Sequence, residues 1–231
     1  MNNQLHQSGA QAIHLFSETN HAGSASIDDK KITTEAQQWQ LMLKHNPTLQ
    51  ERVAKSLGVG TATINALAQE QPATLGIVPQ GTQFVTVGTL GNGRPGLIDD
   101  ALFTDRLAFI YSGAVFVSKP YPGFPDTMKF GCPRAPWRAW DAKPSCPDTL
   151  HVSESEALAI KLIDAGEERP GSRVVALRST MLPIAPYVPH LLASKVFIWL
   201  EQATSDASSR FAESLERALG DTGAVVSIRT F

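Results

Sequence analysis

The C-terminal part of the chain alternates strand-type and helix-type segments in a regular order, and this alternation limits the fold more than any other feature of the sequence. Short apolar and β-branched runs at 150–152, 174–177, 195–200 and 224–228 are separated by segments with helical spacing at 154–165, 186–193 and 205–219. Regular alternation of this kind produces a parallel sheet with right-handed crossovers. We therefore predict an α/β domain over residues 149–231, with ligands bound at the carboxyl ends of its strands.

Acidic residues follow two of the predicted strands. Glu154 and Glu156 come after the first strand, and Glu201 and Asp206 come after the third. If these strands are neighbours, the carboxylates meet at one edge of the sheet, where grouped carboxylates suit Mg²⁺ and a transferred phosphoryl group. A purely structural interpretation stays open, because Ser153 and Glu156 have the spacing of a helix capping box and Asp206 can begin the helix that follows.

Residues 34–69 have the spacing of short helices. Asn46 is placed to cap a helix that starts at Pro47, and Gly58 is placed to end it, so a helix-turn-helix outline results. Such an outline reads DNA in some proteins and is a plain packing unit in others. The packing interpretation is favoured here because the segment holds few cations that could bind phosphate.

The segment that follows is typical of strands. Runs of β-branched and aromatic residues at 84–87, 107–111 and 114–117 predict a small antiparallel layer. Residues 91–96 have the G-x-G-x-x-G spacing of dinucleotide-binding proteins, but Pro95 and its successors give no helix start, so we predict a loop between strands. Residues 34–148 are thus expected to form a helical and antiparallel β region that precedes the α/β domain.

Residues 1–33 are rich in Gln, Ser, Asn, His and Gly, a composition that predicts a disordered arm. The two cysteines, Cys132 and Cys146, are too few for a disulfide framework, and we find neither a secretory signal nor an apolar run long enough to span a membrane. These features predict a cytoplasmic protein without a membrane partner. The net charge of −2 does not decide whether nucleic acid is a ligand.

A basic and aromatic stretch lies just before the α/β domain. The candidate nucleic-acid-binding residues in it are Lys129, Arg134, Trp137, Arg138 and Trp140. Cations interleaved with aromatic rings can follow a phosphate backbone and stack on bases, as in single-strand binding proteins. An equal alternative is a Pro-rich lid whose rings pack on the core while its cations are solvated.

The order of strand, Glu154 at the start of a helix, second strand, and third strand leading into an acidic turn resembles the Toprim domain of primases, topoisomerases and some nucleases. That family has a glutamate after its first strand, where Glu154 stands, and an Asp-x-Asp pair after its third. Asp206 matches the second acid of the pair, whereas Thr204 stands at the first, for which Glu201 is a substitute. The resemblance extends upstream to the primase N-terminal region of phage and plasmid primase-helicase proteins.

The resemblance implies a primase-related protein of DNA replication that catalyses Mg²⁺-dependent nucleotidyl or phosphoryl transfer. Its implied partners are single-stranded DNA or RNA and a replication helicase. Glu154 would act as general acid or base, with Asp206 as a second catalytic residue. Glu154, Glu156, Glu201 and Asp206 would hold the metal.

Two alternatives to the primase-related enzyme stay open. One is a non-catalytic nucleic-acid-binding or assembly module that keeps the fold without the chemistry, which is favoured by Thr204 and by Ser209, where the family usually has glycine. The other is a nuclease that uses the same acids for strand cleavage. The sequence does not decide between an enzyme and a binding module, and it does not give the oligomeric state.

Overall fold

The computed structural model describes residues 13–16, 29–80, 83–89, 95–101, 106–118, 127–139, 147–179, 181, 183–201 and 206–231. Within these ranges it contains one four-stranded parallel sheet with helices and, before it, a helical region with two further sheets, of three and four strands. The predicted α/β class, with a parallel sheet preceded by helices and antiparallel strands, is confirmed. No helix in the described ranges combines the length and the apolar character needed to cross a bilayer.

The C-terminal region is built from four parallel strands. Its elements in chain order are β8 (Thr149–Ser153), α4 (Glu156–Asp164), β9 (Ser172–Ala176), a 3₁₀ helix (Ala185–His190), β10 (Lys195–Leu200), α5 (Asp206–Gly220) and β11 (Val225–Thr230). The strand order is β11-β10-β8-β9, and every pair is parallel. The first and third strands of this region are therefore neighbours, as the predicted carboxylate edge requires.

Burial explains why these segments fold as they do. The inner strand β10 is apolar on both faces after Lys195, whereas β8 buries the polar His151 and Ser153 on one face. Helix α5 places Phe211, Leu215 and Leu219, all fully buried, at helical spacing on one side. Helix α5 contacts β10 and β11, whereas α4 contacts β8 and β9. Each helix thus covers the pair of strands that it connects.

The start of α4 differs from the predicted capping box. Ser155, not Ser153, is the N-cap residue, and its hydroxyl accepts a hydrogen bond of 3.2 Å from the backbone N–H of Leu158. Ser153 lies at the end of β8, where its hydroxyl donates to the carbonyls of Ser155 and Val175. The spacing of Ser153 and Glu156 was therefore a chance match, because the strand runs one residue further than a cap at Ser153 would allow.

The described part of the N-terminal region contains three helices: α1 (Asp29–Lys44), α2 (Pro47–Leu57) and α3 (Thr61–Gln69). As predicted, the side chain of Asn46 caps α2, accepting from the N–H of Leu49, and Gly58 ends it with a φ of 69°. The buried residues of α2 and α3 face the shared core, which agrees with the packing interpretation of this helix pair.

Two described elements lie wholly or partly within the arm predicted for residues 1–33. Strand β1 (Ile13–Phe16) pairs with β3 (Gln83–Thr89), and α1 begins at Asp29, five residues before the expected boundary at Thr34. The rest of the arm lies outside the described residues.

The remaining strands form two sheets. The strands β2 (Leu75–Val78), β5 (Arg106–Tyr111), β6 (Ala114–Ser118) and β7 (Thr127–Gly131) form an antiparallel sheet, and β1 joins β3 (Gln83–Thr89) and β4 (Pro95–Ala101). Because Pro95 begins a strand and not a helix, the glycine spacing at 91–96 lacks the helix that a dinucleotide site needs. Residues 91–94 themselves lie outside the described residues.

Several contacts join the N-terminal region to the parallel sheet. Trp137 forms an isolated antiparallel bridge with Ala176 on β9, and its indole N–H donates to the carbonyl of Thr74 at 2.8 Å. Asp164, at the end of α4, accepts hydrogen bonds from the Gly60 N–H and the Thr63 hydroxyl at the start of α3. A single cluster of buried residues runs through both regions, so they share one core.

Candidate functional site

The topology of the parallel sheet creates a crevice at one place. From β8 the chain moves to β9 on one side, whereas β10 lies on the other side of β8 and leads on to β11. Connections that leave neighbouring strands in opposite directions open a crevice at the carboxyl ends of those strands, which is where α/β proteins bind ligands. Glu154 follows β8 and Glu201 follows β10, so both stand at this crevice.

The two glutamates are in direct contact. A carboxylate oxygen of Glu154 accepts a hydrogen bond of 2.6 Å from the backbone N–H of Glu201. The hydroxyl of Ser155 lies 3.1 Å from a carboxylate oxygen of Glu201 and donates to it. The backbone N–H of Glu154 in turn donates to the carbonyl of Trp199 on β10. These bonds tie the ends of β8 and β10 together and bring both glutamates to the crevice.

A cavity of about 530 Å³ opens at this edge. Its residues come from the strand ends and from the N-terminal region: Ser56, Leu57, Leu107, Phe109, Ser118, Glu154, Ser155, Glu156, Ala157, Arg178, Glu201 and Ser208. The volume lies within the range of small-molecule sites. The described residues that line the cavity therefore form an acidic rim and an apolar wall, and they include one cation, Arg178.

That cation, Arg178, follows β9 and is bound to Glu156. Its Nε donates to a carboxylate oxygen of Glu156 at 2.6 Å, and its guanidinium lies over the ring of Phe116 at 4.5 Å from the centroid. The hydroxyl of Tyr111 donates to the same Glu156 oxygen at 2.6 Å. Burial, together with the negative charge of Glu156, raises the pKa of Tyr111 well above its usual value, so the hydroxyl stays protonated and remains a donor.

Glu156 is therefore placed differently from the prediction that it ligates a metal. Its side chain is 1% exposed, and its charge is compensated by Arg178. An ionised carboxylate buried in this way needs such a partner, and withdrawing it to bind a cation at the rim would leave Arg178 and Tyr111 unpaired. We conclude that Glu156 supports the floor of the cavity and does not belong to the rim.

The other predicted acid, Asp206, is the first residue of α5 and is exposed. Thr204 lies outside the described residues, and Ser209 is exposed on α5. Sequence reasoning missed Arg178 and Ser208, which line the cavity. The position of Arg178, directly after the predicted strand 174–177, was the available signal.

The rim fits a hard cation with few protein ligands. Among the residues that the structure describes, no three His, Cys, Asp or Glu side chains are grouped as a metal site. Mg²⁺, however, is commonly held by one or two carboxylates while it keeps waters and binds substrate phosphates. Glu154 and Glu201 supply two carboxylates at the surface, which suits that mode of binding and not a closed all-protein cage.

The basic stretch before the sheet differs from the predicted nucleic-acid surface. Trp137 is fully buried and Arg138 is 9% exposed, so neither can stack on a base or follow a phosphate backbone. The prediction is corrected for these two residues, which belong to the packed alternative. Arg134 is exposed, whereas Trp140 and the side chain of Lys129 lie outside the described residues.

A second cavity, of about 560 Å³, adjoins the first. The two cavities share Ser56 of α2, Leu107 of β5 and Ser118 of β6, so they form one groove between α2 and the antiparallel sheet. The second cavity is lined by Arg52 and Lys55, both exposed on α2. Cations thus stand along the groove that leads to the acidic rim.

Comparisons of this chain with protein-family models, with curated proteins and with solved structures return no match.

Proposed function

We propose that this chain is a Toprim-like nucleic-acid protein of DNA replication, related to primases, whose site of Mg²⁺-dependent nucleotidyl or phosphoryl transfer is the crevice at Glu154 and Glu201. The observation that carries the proposal is the direct contact between these two residues across neighbouring parallel strands. It supports the proposal because two carboxylates at a topological switch point form a rim that a cation and a phosphate can share.

In this proposal Glu154 and Glu201 would hold the Mg²⁺, which when bound neutralises charge on a transferred phosphoryl group. Ser155 fixes the Glu201 carboxylate through its 3.1 Å hydrogen bond. The Glu201 N–H fixes one oxygen of Glu154, and that carboxylate would act as general acid or base. Preorganised carboxylates of this kind need little rearrangement when a ligand arrives.

Positively charged side chains along the groove would attract a polyanion. Arg52 and Lys55 add positive charge at one end of the groove, and Arg178 adds a partly neutralised guanidinium at the other. Phosphates of single-stranded DNA or RNA would be drawn along this groove toward the rim, and the attraction would weaken as salt rises.

The test is an activity assay on single-stranded DNA with Mg²⁺, in which both primer synthesis and nicking are measured. Replacing Glu154 by Gln keeps the size of the side chain and removes its charge, so activity should fall by about 100-fold or more. Glu213→Gln on the exposed side of α5 is the matched control and should retain full activity. Equal activity of the wild type and Glu154→Gln would contradict the role of Glu154, and the absence of activity from both would remove the transferase and the nuclease together.

A second candidate, the non-catalytic binding or assembly module, is favoured by one observation. Glu156, a residue expected among the metal ligands, instead accepts hydrogen bonds from Arg178 and Tyr111. In this case the chain binds nucleic acid equally well with Mg²⁺ and with a chelator, and neither the wild type nor Glu154→Gln synthesises or cleaves a strand.

A further inference from the structure

One face of the sheet carries a row of aromatic rings with an arginine on top of it. On β10, Phe197 and Trp199 point to the same face as Arg229 on β11, and Trp199 is in register with Arg229. The guanidinium carbon of Arg229 lies 3.8 Å from the centroid of the Phe197 ring and 5.5 Å from that of Trp199. The ring of Phe231 meets that of Trp199 at a centroid distance of 6.3 Å. We call Lys195, Phe197, Trp199, Arg229 and Phe231 the aromatic platform.

The platform is fixed from the side by His151, which is in register with Phe197 on the neighbouring strand β8. The indole N–H of Trp199 donates to Nδ1 of His151 at 3.0 Å, and the two rings are stacked with an interplanar angle of 19°. His151 is 2% exposed, and its ring also contacts Phe197 at 5.3 Å between centroids. The aromatic rings are therefore held in place before any ligand binds.

The two faces of the sheet differ at these strands. Val196 and Ile198, which point to the opposite face of β10, have no exposed surface. On the platform face, Lys195 and Arg229 are exposed and Phe231 is 44% exposed. On β10 and β11 the platform face thus presents a planar guanidinium and a ring to solvent, above Trp199, which is 8% exposed. On β8 and β9 the same face is buried at His151, Ser153, Val174 and Ala176.

The charge of the platform narrows the class of ligand. The residues on this face of the strands, all of which the structure describes, are Thr149, His151, Ser153, Ser172, Val174, Ala176, Lys195, Phe197, Trp199, Val225, Ser227 and Arg229, followed by Phe231. Two of these side chains, Lys195 and Arg229, are cations, and the Glu167 carboxylate approaches the face at β8, 3.6 Å from Nε2 of the buried His151. Aromatic rings with a stacked arginine and a second cation on β10 and β11 fit a polyanion with planar groups, which describes single-stranded nucleic acid.

The platform also adjoins the candidate site. The carbonyl of Trp199 accepts the N–H of Glu154, and the N–H of Phe231 donates to the carbonyl of Leu200, the residue before Glu201. A strand bound at the platform would therefore reach the edge where the two carboxylates stand.

We propose that the aromatic platform binds single-stranded nucleic acid, with bases stacked on the Arg229 guanidinium and the Phe231 ring and with Lys195 contacting phosphate. The inference rests on the proposed function in one respect, that nucleic acid is the ligand. In this proposal Lys195, Arg229 and Phe231, which are exposed, take the nucleic-acid-binding role that the sequence suggested for Trp137 and Arg138, which are buried. Stacking needs no metal, so this binding is independent of Mg²⁺.

The test is fluorescence anisotropy of a labelled oligothymidylate with the full chain in the presence of a chelator. Arg229→Ala and Phe231→Ala should each weaken binding by about fivefold or more, because a stacked base is lost. Arg229→Lys keeps the charge without the plane, so it should lose affinity while the salt dependence stays that of the wild type. Ile228→Ala is the matched control, since Ile228 is 42% exposed on the opposite face of the same strand, and it should bind like the wild type.

The outcomes separate this inference from the proposed function. If Arg229→Ala and Phe231→Ala bind the oligonucleotide as tightly as the wild type, the platform is not the binding surface, whatever Glu154 and Glu201 do. If these variants instead change the sedimentation mass of the protein and leave binding unchanged, the face joins copies of the chain and the inference is wrong. Platform binding that persists in Glu154→Gln supports the inference even where catalysis is absent.

Discussion

At the scale of single residues, Arg138 joins both regions of the chain. Its guanidinium bonds to Glu70 at 2.5 Å, to Glu168 at 2.6 Å and to the carbonyl of Val174 at 3.0 Å. Burial of Glu168 opposes its ionisation, but the hydrogen bonds and positive charge of Arg138 outweigh that effect and hold the pKa of Glu168 below its usual value. The backbone of Arg138 is left-handed, with a φ of 65°, a conformation that residues other than glycine rarely adopt.

Removing this guanidinium should cost stability. Arg138→Ala leaves two partly buried carboxylates without their partner, so we expect the free energy of unfolding to fall by about 2 kcal/mol or more. Urea unfolding measures the change, and Arg217→Ala, an exposed residue of α5, serves as control with an expected change within about 0.5 kcal/mol. Equal midpoints for the two variants would show that the network contributes nothing.

His151 predicts a pH dependence. Burial lowers the pKa of His151 below its usual value, and Arg229 acts in the same direction although Glu167 opposes it. The unfolded chain therefore takes up the proton at a higher pH than the folded chain, so stability is lost as pH falls from about 6.5 toward the lower pKa of the folded state.

The measurement is urea unfolding at several pH values for the wild type and His151→Gln, which keeps an acceptor for Trp199. The wild type should lose more stability than His151→Gln between about pH 7 and pH 5. Parallel losses in the two proteins would rule out a buried neutral histidine as the cause.

Residue type alone could not separate a nucleic-acid ligand from a core residue in the basic stretch. Trp137 and Arg138 suit single-strand binding as well as they suit packing, and the difference depends on Glu70, Glu168 and Ala176, which lie far away in sequence. The partners of Glu156 were hidden for the same reason, because Tyr111 and Arg178 reach it only in the folded chain.

At the scale of elements, α2 begins where local chemistry places it. Asn46 accepts the Leu49 N–H at 3.1 Å, Pro47 occupies the first turn, and Gly58 supplies the left-handed residue that ends the helix. These signals act within a few residues of one another, which is why the sequence predicted both ends of this helix.

Asn46→Ala should therefore lower the free energy of unfolding by about 1 kcal/mol, because one backbone donor of α2 loses its partner. Thermal and urea unfolding measure the loss. Asn65→Ala, at an exposed position within α3, is the matched control and should change stability little. A loss at Asn65 as large as that at Asn46 would mean that the cap is not the cause.

The start of α4 shows the limit of such local signals. Ser153 and Ser155 both precede helical spacing, and only the length of β8 decides that Ser155 becomes the cap. Strand length depends on pairing with β9 and β10, so a boundary here could be predicted only to within a residue or two.

At the scale of the whole molecule, the two regions share one core. The Trp137 bridge to β9, the Arg138 network and the Asp164 cap of α3 all cross from one region to the other. We expect a single cooperative unfolding transition, with tryptophan fluorescence and far-ultraviolet circular dichroism giving the same midpoint. Two separated transitions would show that residues 34–148 and 149–231 are independent.

The α/β class could be predicted from the sequence because each of the seven elements from β8 to β11 shows its own local strand or helix pattern, and together these patterns alternate. The adjacency of β8 and β10, on which the crevice depends, could not, because strand order is decided by long-range packing. Prediction placed Glu154 and Glu201 at strand ends, but only the strand order brings them into contact. The groove with Arg52 and Lys55 was beyond sequence reasoning, since it joins elements a hundred residues apart.

The most direct measurement of the central claim is calorimetric titration of Mg²⁺ and Mn²⁺ into the full chain. We expect the wild type to bind the cation, and Glu154→Gln and Glu201→Gln each to bind it about tenfold or more weakly, while Glu213→Gln binds like the wild type. The same heats in the wild type and in both rim variants, or no binding in any of them, would contradict the assignment of Glu154 and Glu201 as the cation and phosphate site.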